Sequence, residues 1–149
     1  MSKTVNIEVS RITPKSERMV VELDNCVRAV VILDVVGHGY NPVAPALIAL
    51  GFDTVQTVDE AGRVSVYTAE NLLRGCPDFY AGRLPETLGT IRLTRRWSEQ
   101  MDQQRLDVSV NNVSRRSVEA THLNLDTLRA ILPHLGFSVG HIVDLPLAA

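Results

Sequence analysis

Cysteine is scarce in this chain, with Cys26 and Cys76 the only two in 149 residues. They show no C-x-x-C spacing and no paired Cys/His motif, which excludes a disulfide framework or a local zinc or iron–sulfur motif. A single bridge between them is the lesser reading, and both read as reduced thiols. An excess of one charge is also missing. Fifteen Lys and Arg stand against 17 Asp and Glu, for a formal net charge of −2, so no basic field favours nucleic acid or an anionic membrane. No apolar run approaches the ~20 residues that span a bilayer, and no membrane partner is expected. The N-terminus passes directly into strand-like alternation without a signal-peptide core, so the expected location is cytoplasmic. Asn112-Val113-Ser114 matches a glycosylation sequon, which has no meaning without a secretory route.

Catalytic signatures are equally scarce. There is no phosphate loop, dinucleotide fingerprint or Gly-x-Ser-x-Gly elbow. His122, His134 and His141 have no partner at ligand spacing, so neither a metal nor a cofactor is expected. His134 instead suits a helix C-terminus, where a cation meets the negative end of the helix dipole.

What is present is the composition of a folded domain, 45% hydrophobic and 21% charged, which predicts one domain over 1–149 with a single core. Val5, Ile7 and Val9, then Met19, Val21 and Leu23, alternate with polar residues around Thr13-Pro14-Lys15-Ser16, predicting a hairpin over 4–23. The run Ala29-Val30-Val31-Ile32-Leu33 predicts a strand over 28–36 buried on both faces in the middle of a sheet. A loop, Gly37-His38-Gly39-Tyr40-Asn41-Pro42, leads to a helix through Leu50 with Asn41 as N-cap, Pro42 at its first position and Gly51 as C′ residue.

Strands are predicted over 54–58 and 63–67, joined by Asp59-Glu60-Ala61-Gly62. Thr68 can cap a helix over 69–74, stopped by Gly75-Cys76-Pro77, and 78–89 reads as a loop with one helical turn near 85–88. A strand follows around Ile91 and Leu93, then a polar helix or linker over 97–104. Strands over 106–110 and 116–120, a helix over 125–134 and a strand over 137–144 complete the chain.

Leu47, Leu50-Gly51-Phe52 and Val58-Asp59 recur 85 residues later as Leu132, Leu135-Gly136-Phe137 and Val143-Asp144. The echo predicts two similar halves, placed at 28–95 and 105–145. The order strand, helix, strand, strand, helix, strand over 28–95 predicts an α+β, ferredoxin-like domain. Its two or three helices would pack on one face of a predominantly antiparallel sheet.

The strand-loop-helix at 34–45 is the candidate site. Gly37 and Gly39 would let a ligand approach the backbone, the amides of the following helix could meet an anion, and Asp34 with His38 forms a candidate acid-base pair. Gly37, His38, Gly39, Tyr40 and Asn41 are the candidate ligand-binding residues. Cys76-Pro77-Asp78-Phe79-Tyr80 reads as aromatic anchors for a long loop, since a catalytic thiol needs a base that the sequence does not show. Arg92, Arg95, Arg96, Trp97, Arg105, Arg115 and Arg116 make the one basic concentration. They offer an RNA-binding alternative that Glu99, Asp102 and Glu119 weigh against.

The segment 29–67, including Leu50-Gly51-Phe52-Asp53-Thr54-Val55, resembles the strand-helix-strand-strand core of ACT-type regulatory domains and other small ferredoxin-like subunits. That resemblance implies a non-catalytic module that assembles through its sheet, with 37–41 as ligand loop. The expectation is therefore a regulatory or accessory module, forming a homo-dimer or larger homo-oligomer and binding a small ligand or a partner enzyme. The competing expectation is a small enzyme in which Asp34 and His38 move protons on an organic acid or carbonyl compound.

Overall fold

The computed structural model describes residues 3–35, 41–68, 70–71, 87–120 and 122–145. The chain is α+β and dominated by strands. Three strands come first, β1 (Lys3–Thr13), β2 (Ser16–Leu23) and β3 (Cys26–Asp34), followed by the helix α1 (Val43–Ala49). Then come β4 (Phe52–Val58), β5 (Val64–Thr68), β6 (Gly89–Ser98), β7 (Gln103–Val110) and β8 (Val113–Glu119). A second helix α2 (Leu125–Ile131) runs into a 3-10 turn (Leu132–Leu135) and the final strand β9 (Phe137–Leu145).

Two mixed sheets replace the expected single antiparallel one. The first has the order β3-β2-β1-β9 and the second β5-β4-β6-β7-β8. Within each, one neighbouring pair is parallel, β1 with β9 and β4 with β6. The reason for the difference from a ferredoxin-like order is where α1 leads. It does not return the chain to the sheet that holds β3 but carries it into the other sheet. The fully apolar helix between them serves both, because all of Val43–Ala49 is buried, as expected of a helix hydrophobic on every side.

Strand pairing groups the elements differently from a 28–95 and 105–145 division. The order strand, strand, strand, helix, strand occurs over 3–58 and again over 89–145. The 4–23 hairpin is thus the opening of the first unit, matched by the β6–β7 hairpin in the second. The inward rows correspond, Val5, Ile7 and Val9 with Met19, Val21 and Leu23 in one unit, Ile91 and Leu93 with Leu106, Val108 and Val110 in the other. The last strand of each unit pairs in parallel with the first strand of the other, so the units interlock within one chain. Their apolar rows and both helices join a single hydrophobic core.

Matching turns reinforce the correspondence. Asp24 and Asn25 take φ of 52° and 66°, and Asn111 and Asn112 take 51° and 66°, the left-handed pair that a two-residue hairpin turn needs. In each unit the first turn residue also reaches the start of the first strand. Asp24 Oδ1 accepts from the Thr4 amide at 2.8 Å, and Asn111 Oδ1 accepts from the Thr90 amide at 3.0 Å. Turn chemistry, which Asp and Asn share, is preserved where residue identity is not.

Other local expectations resolve individually. The 97–104 segment is the β6–β7 hairpin, with Ser98 opposite Gln103, because polar strand ends around a turn lack an apolar period. Asn124 caps α2 and forms a capping box with Thr127. The α-helix stops at Ile131 and tightens into the 3-10 turn at Pro133, which has no N–H to continue the ladder. Gly51 and Gly136 both have positive φ, 120° and 93°, as C′ residues do. Thr68 Oγ1 accepts from the Asn71 amide at 3.1 Å, the bond of an N-cap; of the expected 69–74 helix 70–71 are described and helical, and of the expected 78–89 loop 87–89 are described, with β6 beginning at Gly89.

Candidate functional site

The end of β3 is fixed by the hairpin around it. Asp34 stands opposite Ser16 and Leu33 opposite Glu17, while the Val35 amide donates to the Lys15 carbonyl at 2.9 Å. The loop toward α1 therefore leaves from the β1–β2 turn end of the first sheet. Gly37, His38, Gly39 and Tyr40 fall outside the described residues, as do Cys76, Phe79 and Tyr80. Of the candidate site, Asp34 and Asn41 have described positions.

Asp34 is exposed. It alternates with Leu33 along the strand, so it projects onto the outer face with Val30 and Ile32, away from buried Ala29 and Val31.

Asn41 has a structural task. Its Oδ1 accepts from the amides of Val43 at 3.0 Å and Ala44 at 3.3 Å. Pro42 and Pro45 have no N–H, and the Ala46 amide already donates to the Pro42 carbonyl at 3.3 Å. Every amide of the first turn is thus absent or engaged, and the helix start has none to offer an anion.

The same end of the sheet holds an ionic pair that alternation alone could have found. Glu17 occupies the core-facing row that continues as Met19, Val21 and Leu23, and it is 4% exposed. Arg11 Nη2 donates to its Oε1 at 3.1 Å. A carboxylate taken out of water in this way requires a charged or hydrogen-bonding partner, and Arg11 on the neighbouring strand supplies it. At the corresponding place in the second unit stands Gln104, opposite Trp97. The sequence signal was a polar residue at an apolar position of the strand period.

The arginine concentration divides between faces. Arg92, Arg96 and Arg105 share the outer face of the second sheet, where Arg92 Nε donates to Gln56 at 3.0 Å and Arg96 Nε to Asp107 at 2.6 Å. Arg105 donates to Gln103, to the Ser117 hydroxyl and to the Ser117 carbonyl. Trp97, 50% exposed, alternates onto the opposite face from Arg96, so that pair does not form a combined stacking platform. Arg92, Arg96 and Arg105 tie neighbouring strands together across the face.

Among the described residues no group of three or more His, Cys, Asp or Glu is placed to hold a metal ion. No described helix is long and apolar enough to cross a membrane. Neither protein-family models, nor curated proteins, nor solved structures provide a match to this chain.

Proposed function

We propose that this chain is a small non-catalytic accessory or regulatory module that assembles with copies of itself and engages a partner enzyme or a small ligand. The observation that supports it is the position of Asp34. The one carboxylate that sequence reasoning offered for proton transfer lies exposed on the outer face of a strand, whereas acid-base catalysis requires the group within hydrogen-bond reach of a held substrate. The start of α1 adds support, because its amides are already engaged by Asn41.

The remaining structure is the kind a scaffold needs. Two interlocked units share one core, and among the described residues Ile32, Val64 and Val66 leave apolar surface exposed on strands of both sheets. Native mass spectrometry of the full chain, purified gently from its own source, tests this reading. A homo-oligomer, or a stoichiometric complex with a larger protein, is the expected result. A monomer retaining a small molecule that is lost in both His38→Ala and Asp34→Asn would overturn it in favour of the enzyme.

A further inference from the structure

The strand β3 carries a sequence that does not suit the place it occupies. Ala29 to Leu33 is an uninterrupted apolar run, the pattern of a central strand covered on both faces. Among the described residues, however, β3 has a sheet neighbour on one side only, since it ends the order β3-β2-β1-β9. Exposed sheet edges in soluble proteins are normally short, charged or interrupted by Pro. This one is nine residues long, has no Pro, carries charge only at Arg28 and Asp34 on either side of its apolar run, and leaves Val27 48% and Ile32 51% exposed.

The other outer strands are protected by comparison. The strand β5 is five residues long, β8 carries Arg115, Arg116 and Glu119, and β9 is broken in register at Gly140 beside Asn6.

From this mismatch we infer that β3 is the contact strand of a two-fold dimer, pairing antiparallel with β3 of a second copy so that the two four-stranded sheets become continuous. The inference rests on the reading of the chain as a self-assembling module and locates its interface. Charge complementarity selects the second copy and the register. An antiparallel pairing about a two-fold axis at Val31 sets Arg28 opposite Asp34 of the other copy, twice. It also sets Val30 opposite Ile32, an apolar pair next to each ion pair.

Arg28 and Asp34 both have interactions within their own chain, and a guanidinium with five N–H donors can serve a further carboxylate. The irregularity in β2–β3 pairing lies between Val21 and Glu22. Arg28 is the extra residue there, between Val27 opposite Glu22 and Ala29 opposite Val21, so 29–34 is regular and Arg28 adjoins the end of that regular segment.

The experiment is sedimentation or light scattering on the full chain with charge-reversed variants. Wild type is expected as a dimer. Asp34→Arg alone and Arg28→Asp alone each set two like-charge pairs across the axis and should weaken self-association at least about tenfold. An equimolar mixture of the two single variants restores both opposite-charge pairs and should dimerise again. Ile32→Lys, at an exposed position that the fold of one chain does not require, should also give monomer. It keeps the test decisive if a charge reversal alters the circular-dichroism spectrum.

A dimer unaffected by Asp34→Arg and Ile32→Lys would overturn the β3 interface while leaving self-assembly standing. Folded single variants whose mixture stays monomeric would overturn the register. A wild type that is monomeric at the highest workable concentration would overturn both the interface and the self-assembly on which it rests.

Discussion

Gly136 and Gly89 permit a comparison in which the structure separates two costs that are usually mixed. Both have left-handed backbone, with φ of 93° and 88°. A Cβ at Gly136 would meet nothing within 4 Å, whereas one at Gly89 would sit 2.1 Å from Asn111 Oδ1. Gly136→Ala should therefore cost backbone strain alone, about 1–2 kcal/mol for an L-residue in this conformation, reduced by ~0.5 kcal/mol because Ala also stiffens the unfolded chain.

Gly89→Ala should cost the same strain and in addition displace the Asn111 side chain. That side chain accepts from the Thr90 amide at 3.0 Å and donates to the Leu88 carbonyl at 3.3 Å. Two hydrogen bonds at roughly 0.5–1.5 kcal/mol each bring the total to about 2–4 kcal/mol.

Equilibrium urea unfolding with a common slope measures both, and a melt should show about 2–4 °C per kcal/mol for a chain of this length. A further variant isolates the steric part. In an Asn111→Gly background the excess cost of Gly89→Ala over Gly136→Ala should vanish, because nothing remains at that position to displace. Equal costs at the two glycines in the native background, or a larger one at Gly136, would refute the reasoning.

Two other expectations concern the echo and the β4–β5 turn. Leu47→Ala and Leu132→Ala remove fully buried side chains at equivalent places in the two units, and each should cost about 2–5 kcal/mol in chemical denaturation; a cost under 1 kcal/mol at either would contradict its place in the core. Asp59 has its pKa lowered, first by the backbone N–H of Arg63 and, against an opposing desolvation, by the Arg63 charge and the Ala61 N–H. A depressed folded-state value means that the turn gains stability above the unfolded pKa, near 3.9 for Asp, and loses it as pH falls through the lower folded value. Carbon-detected NMR titration should therefore find Asp59 below the ordinary aspartate value, and a result at or above it would contradict the turn geometry.

Much of the local structure was legible in the residues. The alternation of Val5, Ile7 and Val9 with Met19, Val21 and Leu23 marked a hairpin that the β1–β2 pairing contains, because period two is a direct consequence of strand geometry. Asn41, Pro42 and Gly51 marked the ends of α1 through capping chemistry that acts over a few residues. Glu17 was visible as a polar residue in an apolar row, although its meaning awaited a partner.

The candidate site was less legible. Asp34 looked like a catalytic acid because it ends a strand before a glycine-rich loop, yet which face it takes depends on the strands beside it. Trp97 and Arg96 looked like a stacking pair because they are adjacent, and adjacency in a strand is what sends side chains to opposite faces.

By itself, the sequence determined the α+β class with strands in the majority, several of the turns and the capped ends of α1, since these follow from periodicity and from the conformations of Gly, Pro, Asn and Asp. Only the tertiary structure decided which strands are neighbours. Parallel pairing of β1 with β9 and of β4 with β6 joins residues far apart in the chain, and hydrogen bonds between backbones carry no residue label that a sequence could display. The same limit made β3 read as a central strand. Its apolar run is that of a central strand, whereas among the described residues β3 has one sheet neighbour, β2.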